Sequence, residues 1–175
     1  LLHTGNAFGK VVFEASVPKT EQRPTAQSSR EEKHSWIVDK YMEKKWALKP
    51  ELGSASSDEA ALQTAVQEGD LTVVLAHIIH GVNINWKNPD HLQFSPLHFA
   101  ITEGNSTMCD LLLQNGADPN IQDGSGWTPL HHCAYLNKID CVILLIRRGA
   151  KLGIVDNQNK VWNEILPQLL NLFNF

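Results

Sequence analysis

The chain has 175 residues, of which 42% are hydrophobic and 19% are charged, and its formal net charge is −4. This composition is ordinary for a folded globular protein and excludes a wholly disordered chain. The charge is unevenly placed, because residues 1–50 carry nine basic and six acidic residues while residues 51–175 carry six basic and thirteen acidic ones. The split predicts two units with different surroundings.

The three cysteines are Cys109, Cys133 and Cys141, and no two of them have CxxC spacing. An odd number without that spacing indicates neither a disulfide framework nor a zinc knuckle, and it favours a reducing, intracellular setting. No apolar run reaches the roughly 18 residues that a membrane span needs. The chain starts without Met or a signal peptide, so we expect it to be a fragment of a longer protein.

In chain order, the first predicted elements are two helices within residues 1–49. The first carries apolar residues at helical spacing after Gly5 and Asn6. The second begins at a capping box, either Ser28 with Glu31 or Ser29 with Glu32, and runs to about Trp46. Its predicted buried side consists of Ile37 with Tyr41 and Val38 with Met42. Its predicted exposed side carries Lys33, Lys40, Lys44 and Lys45.

Two helices cannot make an independent domain, so we expect residues 1–49 to pack on something else. Residues 50–57 are rich in Ser and also contain Gly and Pro, a composition that predicts a linker. The domain organisation expected is therefore 1–49, a linker at 50–57, repeats over 58–160 and an atypical tail at 161–175.

An internal repeat dominates the middle of the chain. Ser95-Pro96-Leu97-His98 and Thr128-Pro129-Leu130-His131 are 33 residues apart. A 33-residue period carrying T-P-L-H is the ankyrin signature. A weaker copy precedes these two, so about three repeats are predicted. The fold class expected is all-α, an ankyrin-repeat solenoid of helix-turn-helix units with β-turn fingers.

Each repeat carries the residues that are expected where its helices start and end. The prolines occupy the first helical turn, where no hydrogen bond is lost, and the residue before each can cap the helix. Each second helix is followed by a glycine that permits a left-handed turn, namely Gly81, Gly116 and Gly149. The first spacing has two extra residues within 88–93, which predicts a longer finger there.

The two ends of the repeat region are less regular. Residues 57–87 lack T-P-L-H and are typical of a polar capping repeat. A further repeat should open after residues 156–160, but residues 161–167 do not continue the pattern. The tail is either an improvised C-terminal cap or a segment foreign to the fold, and we favour the second interpretation.

The first fifty residues resemble the C-terminal part of an Arf GTPase-activating domain. The resemblance is carried by Gly5-Asn6, by Val12 to Ala15, and by Trp36 to Trp46, which reads W-I-V-D-K-Y-M-E-K-K-W. Several multidomain Arf GTPase-activating proteins place ankyrin repeats directly after this domain. Their repeats are similar to His80 to Trp86 and to Leu111 to Ala117 here.

This resemblance implies a parent that regulates Arf GTPases in membrane traffic, with a zinc finger and a catalytic arginine upstream of the helices seen here. No CxxC pair is present, and neither Arg23 nor Arg30 sits in the catalytic context. We therefore expect no catalytic residue, no metal ligand and no cofactor in this chain, with zinc belonging to the parent domain. We expect a cytoplasmic protein that meets endosomal or plasma membrane only peripherally, through domains absent here.

Candidate interaction residues lie on the fingers and on the second helix. An aromatic side chain on a finger can anchor a partner, although packing between fingers explains it equally well. The basic helix face can meet an acidic Arf surface or anionic lipid, or it can simply be solvated. The candidate partner-binding residues are Trp86, Lys87, Asp90, Gln122, Asp123 and Trp127. The candidate Arf- or membrane-facing residues are Lys40, Lys44 and Lys45.

Other chemistry is disfavoured by the pattern. A metal site could be suggested by His131, His132, Cys133 and Cys141, but His98 and His131 occupy the structural histidine position of the repeat. A nucleophilic Cys–His pair lacks an orienting Asp or Asn. The negative charge and the absence of a basic stripe argue against nucleic acid. The competing hypothesis is an ankyrin adaptor unrelated to Arf, whose first fifty residues are a helical cap.

Overall fold

The computed structural model of the protein describes residues 11, 13–45, 47 and 55–162. Seven α-helices lie in that part of the chain. They are α1 Arg30–Ile37, α2 Ala55–Glu68, α3 Leu71–Ile79, α4 Pro96–Thr102, α5 Ser106–Gln114, α6 Pro129–Tyr135 and α7 Ile139–Arg147. A π-helical turn, Val38–Met42, continues α1. Among the described residues the only β pairing consists of two isolated bridges, so the predicted all-α class is confirmed.

Helices α2 to α7 form three antiparallel pairs that stack side by side, and residues 55–162 are called the stack below. Within it α2 packs on α4, α4 packs on α6, and α5 packs on α7. One continuous apolar core runs through all three pairs and includes Leu62, Leu97, Leu112, Leu130 and Leu145. Each pair buries its apolar face only against its neighbours, as expected of a solenoid.

The helix boundaries follow the predicted signals. Pro96 and Pro129 open α4 and α6 at the first turn. The three glycines that follow the second helices all have left-handed backbones, with φ between +84° and +96°. At Gly149 an added Cβ would meet no atom within 4 Å, so the requirement for glycine there comes from the backbone alone.

The longer finger is closed by a bridge between Asn88 and Phe94. Its tip contains two consecutive non-glycine residues with left-handed backbones, Leu92 at φ +49° and Gln93 at φ +57°. Such backbone angles are uncommon for a bulky residue such as leucine. The Leu92 carbonyl accepts a hydrogen bond from the Gly124 amide at 2.7 Å, which ties this finger to the next one.

A third finger follows the third pair. Val155 and Val161 form a bridge, and the Asp156 carboxylate accepts hydrogen bonds from the amides of Gln158 and Lys160. Trp162, in helical backbone, is only 6% exposed and joins the core. The first two residues of the predicted foreign tail therefore belong to the stack, and residues 163–175 lie outside the described part.

Residues 11–47, called the N-terminal segment below, contain the predicted capping box. Ser29 accepts from the Glu32 amide while the Glu32 carboxylate accepts from the Ser29 amide at 2.8 Å. The α-helix, however, ends at Ile37 rather than near Trp46, which is itself outside the described residues. The Glu43 amide donates to the carbonyl of Val38, five residues back. That wider spacing rotates the following backbone, so an α-helical face cannot continue through it.

Several predictions for the segment are wrong for this reason. Ile37, predicted to be buried, is 53% exposed. Lys40, predicted to be exposed, has a side chain only 11% exposed that pairs with Glu14 at 2.6 Å. The side chains of Tyr41 and Met42 are not among those described. The helix α2 begins at Ala55, within the predicted linker of residues 50–57, and residues 50–54 lie outside the described part.

The segment contacts the first pair of the stack. Ala47 and Ile79 are buried together, and Phe13 and Leu75 pack against them. The Lys44 ammonium donates a hydrogen bond to the carbonyl of Ile79 near the end of α3. This contact supplies the packing partner that the sequence required.

Candidate interaction surface

Two buried histidines join each repeat to the next finger. The Ser95 amide donates to His98 Nδ1 at 3.1 Å, so Nδ1 is an acceptor and Nε2 carries the proton. His98 Nε2 then donates to the Trp127 carbonyl at 3.3 Å. His131 repeats this arrangement with the Thr128 amide and, at 3.1 Å, with the Lys160 carbonyl. Both histidines thus have the structural role predicted for them.

Burial keeps these imidazoles neutral. Burial, and next the neighbouring His132, lower the pKa of His98 to about 3. Burial also lowers the pKa of His131 below its ordinary value. A neutral imidazole can accept at one nitrogen and donate at the other, which is what the contact between repeats requires.

His132 takes part in a second network that has no signal in the sequence. Its Nε2 lies 2.8 Å from Asp123 Oδ2, and both side chains are buried. The other Asp123 oxygen accepts from the amides of Ser125 at 2.8 Å and Trp127 at 2.9 Å. Burial would raise the pKa of Asp123, but the hydrogen bonds from His132, Trp127 and Ser125 outweigh it and lower that pKa.

His98, Asp123 and His132 each place a possible ligand atom within 4.8 Å of the other two. Two imidazoles and a carboxylate are a set that Zn²⁺ can use. The Nε2 of His98, however, carries a proton, and both Asp123 oxygens already accept hydrogen bonds. The network is satisfied without a cation, and the absence of metal ligands stays a prediction.

The four residues that suggested a metal site from the sequence are separated in the structure. His131 donates to the Lys160 carbonyl, while His132 faces Asp123. Cys133 and Cys141 are free cysteines buried in the core of the stack. The structure therefore does not bring these side chains to one centre.

Trp127 contributes mainly to packing between fingers. Its indole N–H donates to Asp156 Oδ2 at 3.1 Å, which links the second and third fingers. Its ring also contacts His132, at 5.2 Å between centroids, and Tyr135, at 5.5 Å. The indole remains half-buried, so one part of it is still accessible.

Two more predicted contact residues are structural. Asp123 is 8% exposed and fully engaged, so its assignment to a partner surface is wrong. The side-chain amide of Gln122 donates to the carbonyls of Gly126 at 2.8 Å and Val155 at 3.0 Å, which bridges two fingers.

The first finger places its candidates differently. Lys87 and Asp90 are exposed, and Trp86 is half-buried. Two exposed apolar side chains that the sequence did not single out lie at the tip of this finger and at the end of α6. Leu92 and Tyr135 are each 67% exposed. Leucine at a turn and tyrosine at a helix end carry no sequence signal of exposure, so only the structure reveals them.

The three candidate lysines also differ from one another. The Lys40 side chain is largely buried against Glu14, and Lys44 is half-buried against the stack, so neither is a free basic surface. The Lys45 side chain is 49% exposed and pairs with Asp39 at 3.1 Å. Of the three, Lys45 alone keeps the predicted exposure.

Within the described residues, no helix has the length and apolar character needed to cross a bilayer.

The family model for ankyrin repeats, in three copies, matches residues 62–156, which is more than half of the chain. The Arf-GAP with coiled-coil, ANK repeat and PH domain-containing protein 2 of Gallus gallus is 37% identical over 87 residues, covering 50% of this chain and 11% of that protein. The ADP-ribosylation factor GTPase-activating protein AGD4 of Arabidopsis thaliana is 28% identical over 190 residues, covering 85% of this chain and 24% of that protein. Ankyrin repeat domain-containing protein 37 of Mus musculus is 34% identical over 106 residues, covering 59% of this chain and 63% of that protein.

The resemblance to Arf-GAP proteins with ankyrin repeats is thereby confirmed, although this chain spans only 11% of the chicken protein's length and 24% of the Arabidopsis one's. An alignment over 85% of the chain must include part of the sequence before residue 58, because residues 58–175 make up only about two thirds of it. The repeat period, the stacked helix pairs and the match over residues 62–156 together establish that the chain belongs to the ankyrin-repeat family.

Proposed function

We propose that this chain is the interaction part of an ankyrin-bearing Arf GTPase-activating protein, and that it does not itself activate GTP hydrolysis. The observation that carries the proposal is the alignment with AGD4, which extends beyond the repeats into the N-terminal segment. An unrelated ankyrin adaptor would be similar over the repeats alone. The parent would regulate Arf proteins in membrane traffic and actin remodelling.

The packing of the segment on the stack supports the proposal. Ala47 is 1% exposed and lies against Ile79, and Lys44 donates to the Ile79 carbonyl. A domain end that is followed directly by repeats needs such a contact to hold a fixed orientation. The stack would then present its fingers at a set angle to whatever precedes the segment.

The chemistry of the segment supports the absence of activity. An arginine supplied in trans stabilises charge on the transferred phosphoryl group and is worth about 10³ to 10⁵ in rate. The Arg23 guanidinium here pairs with Glu14 at 3.0 Å. The family's zinc-binding CxxC pairs are absent from the sequence. The pairing of Arg23 with Glu14 and the missing CxxC pairs are the observations that favour a chain without this activity.

A single-turnover assay tests the proposal. Arf loaded with radiolabelled GTP is mixed with the chain, with an intact Arf-GAP relative as positive control. We expect hydrolysis within about twofold of the intrinsic rate, against the large stimulation that a supplied arginine gives. Stimulation by the chain comparable to that of the intact relative would contradict the proposal.

We assign the interaction surface to the first two fingers and to the end of α6. Leu92, Tyr135 and the accessible part of Trp127 supply apolar area, and Lys87 and Asp90 supply exposed charges near it. Aromatic and apolar anchors of this kind dominate binding energy at protein interfaces. Lys45 is the remaining candidate for an Arf or membrane contact.

A matched pair of variants tests this surface. Leu92→Asp combined with Tyr135→Asp should abolish capture of a crosslinked protein partner. Leu152→Asp, which changes a 38% exposed leucine elsewhere on the stack, should leave capture intact. Equal loss in both variants, with circular dichroism showing that both are folded, would contradict the assignment.

The alternative function is an ankyrin adaptor unrelated to Arf, and the similarity to ankyrin repeat domain-containing protein 37 is the observation in its favour. The two functions differ in whether an activated Arf binds. Surface plasmon resonance with immobilised Arf, loaded with a non-hydrolysable GTP analogue, should show weak binding that is reduced by Lys45→Glu under the Arf-GAP proposal. No binding at any accessible concentration would favour the adaptor.

A further inference from the structure

Two residues of the chain carry a side-chain amide or carboxyl group and are followed directly by glycine. They are Asn115, before Gly116, and Asp123, before Gly124. The backbone nitrogen of the following residue can attack such a side chain, and a glycine hinders the attack least because it has no Cβ. The sequence does not distinguish the two pairs, whereas their surroundings in the fold differ.

The pair of Asp123 and Gly124 is held on every side. Asp123 is 8% exposed, and both of its carboxylate oxygens take part in hydrogen bonds. The Gly124 amide donates to the Leu92 carbonyl at 2.7 Å, and a Cβ added to this glycine would lie 3.0 Å from the same carbonyl oxygen. An attack by the Gly124 nitrogen would have to break all of these contacts, so the folded chain protects Asp123.

The pair of Asn115 and Gly116 is held by far less. Asn115 is the C-cap of α5, and both residues are exposed. The Asn115 side chain donates one hydrogen bond, to the Leu111 carbonyl at 2.8 Å, and the Gly116 amide makes a long one of 3.4 Å to the Leu113 carbonyl. No atom lies within 4 Å of a Cβ added to Gly116. Fraying of the last turn of α5 is therefore enough to bring the Gly116 nitrogen to the Asn115 amide.

We propose that Asn115 is a site of spontaneous modification, at which the folded chain loses ammonia through a cyclic imide and acquires a carboxylate at the C-terminal end of α5. The contrast in burial and hydrogen bonding between Asn115 and Asp123 carries this proposal. It is independent of the interaction function proposed above, since water is the only other reactant.

The atoms of the reaction balance without an oxidant or a reductant. The Gly116 nitrogen gives up its proton and attacks Cγ of Asn115, and the bond from Cγ to Nδ2 breaks. The amide group takes a proton and leaves as ammonia, which gives a five-membered imide. Water then opens one of the two carbonyl–nitrogen bonds of the imide. Opening at Cγ gives aspartate, and opening at the main-chain carbonyl gives isoaspartate, whose side-chain carbon has become part of the backbone.

The modification has a consequence for the second helix pair. The C-caps of the three second helices are His80, Asn115 and Arg148, and none of them is acidic. Donors and cations suit this position, because the last carbonyls of a helix lack partners and its C-terminal end is negative. Deamidation replaces the donor that meets the Leu111 carbonyl with an anion that can only accept. The modified chain should therefore unfold more readily than the unmodified one.

Incubation of the full chain in mildly alkaline buffer, with and without urea, tests the proposal. An isoaspartyl methyltransferase with a radiolabelled methyl donor measures isoaspartate, and peptide mapping by mass spectrometry locates it. We expect product at Asn115 in the folded chain at a rate within about tenfold of that in urea, because opening a helix end costs little free energy. Asp123 should be modified in urea alone. A folded chain that stays unmodified at Asn115 while the chain in urea reacts there, or that reacts equally fast at Asp123, would overturn the proposal.

Three variants of the same position complete the test. Asn115→Gln keeps an amide but lengthens the side chain, so the five-membered ring cannot form and the methyl label from the folded chain should be lost. Asn115→Asp should raise the equilibrium constant of unfolding about two- to fivefold through the added charge at the helix end. Asn115→Arg, which copies the residue found at Arg148, should leave that constant unchanged. Undiminished labelling of Asn115→Gln would overturn the site, and equal stability of Asn115→Asp and the wild type would overturn its consequence.

Discussion

The stack and the N-terminal segment satisfy their polar groups in different ways. In the stack the same bond recurs after a fixed separation, as when His98 donates to a carbonyl 29 residues ahead and His131 does the same. In the segment each bond occurs once, as do those of Lys40 with Glu14 and of Lys44 with Ile79. The stack is stabilised by repetition, and the segment by a few contacts that nothing duplicates.

The difference bears on how each region responds to damage. A repeat that loses one such bond still has the equivalent bond in the neighbouring repeat, and its stability depends on nearest neighbours. The segment has its apolar contact through Ala47 and Phe13 and one described hydrogen bond to the stack. Losing either should release the segment while leaving the repeats folded.

The largest expected effect contrasts two apolar truncations. Leu112 is fully buried in the core of the stack, so Leu112→Ala should lower the free energy of unfolding by about 2–5 kcal/mol. Ile37 is 53% exposed, so Ile37→Ala should change it by about 0.5 kcal/mol or less. Urea unfolding followed by circular dichroism measures both. A large loss for Ile37→Ala would show that the segment has a core of its own.

The second prediction uses pH. The pKa of His98 is lowered to about 3 in the folded chain, so between pH 6.5 and that value the unfolded chain binds a proton that the folded one excludes. Stability should therefore fall as the pH drops below about 6.5, by about 1.4 kcal/mol per pH unit from this group. Burial lowers the pKa of His131 too, which gives the same sign.

Urea midpoints at several pH values between 7 and 5 measure this dependence. His98→Gln removes the titrating group. The slope of the free energy of unfolding against pH should therefore fall by the contribution of about one proton. Leu112→Ala is also destabilised but keeps the histidine, so its slope should match the wild type. An unchanged slope in His98→Gln would place the pH dependence elsewhere.

The third prediction concerns the contact between the two regions. Lys44→Met removes the donor to the Ile79 carbonyl and should weaken docking of the segment by about 1.5 kcal/mol, so limited proteolysis should cut within residues 13–47 about tenfold faster. Lys45→Met changes a neighbour that bonds only acidic residues of the segment in the described contacts, and should leave the rate nearly unchanged. Equal acceleration in both variants would indicate that the contact is not specific to Lys44.

The smallest expected effect separates two exposed glycines of the stack. Gly149→Ala places a Cβ at φ +87° and should cost about 1 kcal/mol, although no atom lies within 4 Å of the added carbon. Gly153 also has open space and lacks the left-handed backbone, so Gly153→Ala should be neutral or slightly stabilising. Thermal unfolding distinguishes them, and equal melting temperatures would contradict the backbone explanation.

The same contrast explains what the sequence could predict. The helix pairs, their prolines and the glycines after them can be predicted from the 33-residue period, which appears when the sequence is aligned with itself. The histidine slots follow from T-P-L-H in the same way. A repeated pattern supplies several examples of each local rule, and the structure agrees with it at both complete copies.

The rest depends on contacts between residues that have no periodic relation. The π-helical turn after Ile37 breaks the face that an α-helical spacing predicts, so Ile37 and Lys40 exchange their expected exposures. Asp123 looked like a finger residue free to meet a partner, but pairing with His132 nine residues ahead buries it. Neither outcome has a signal in local propensity or hydrophobic pattern.

The direction of the histidine bonds has a consequence for the chain during its synthesis. His98 needs a carbonyl from Trp127, and His131 needs one from Lys160, so each donor precedes its acceptor. As the chain leaves the ribosome, a repeat has its buried imidazole in place before the residue that satisfies it has been added. Each repeat should therefore become fully stable only after the following finger has emerged, and the stack should mature one repeat behind translation.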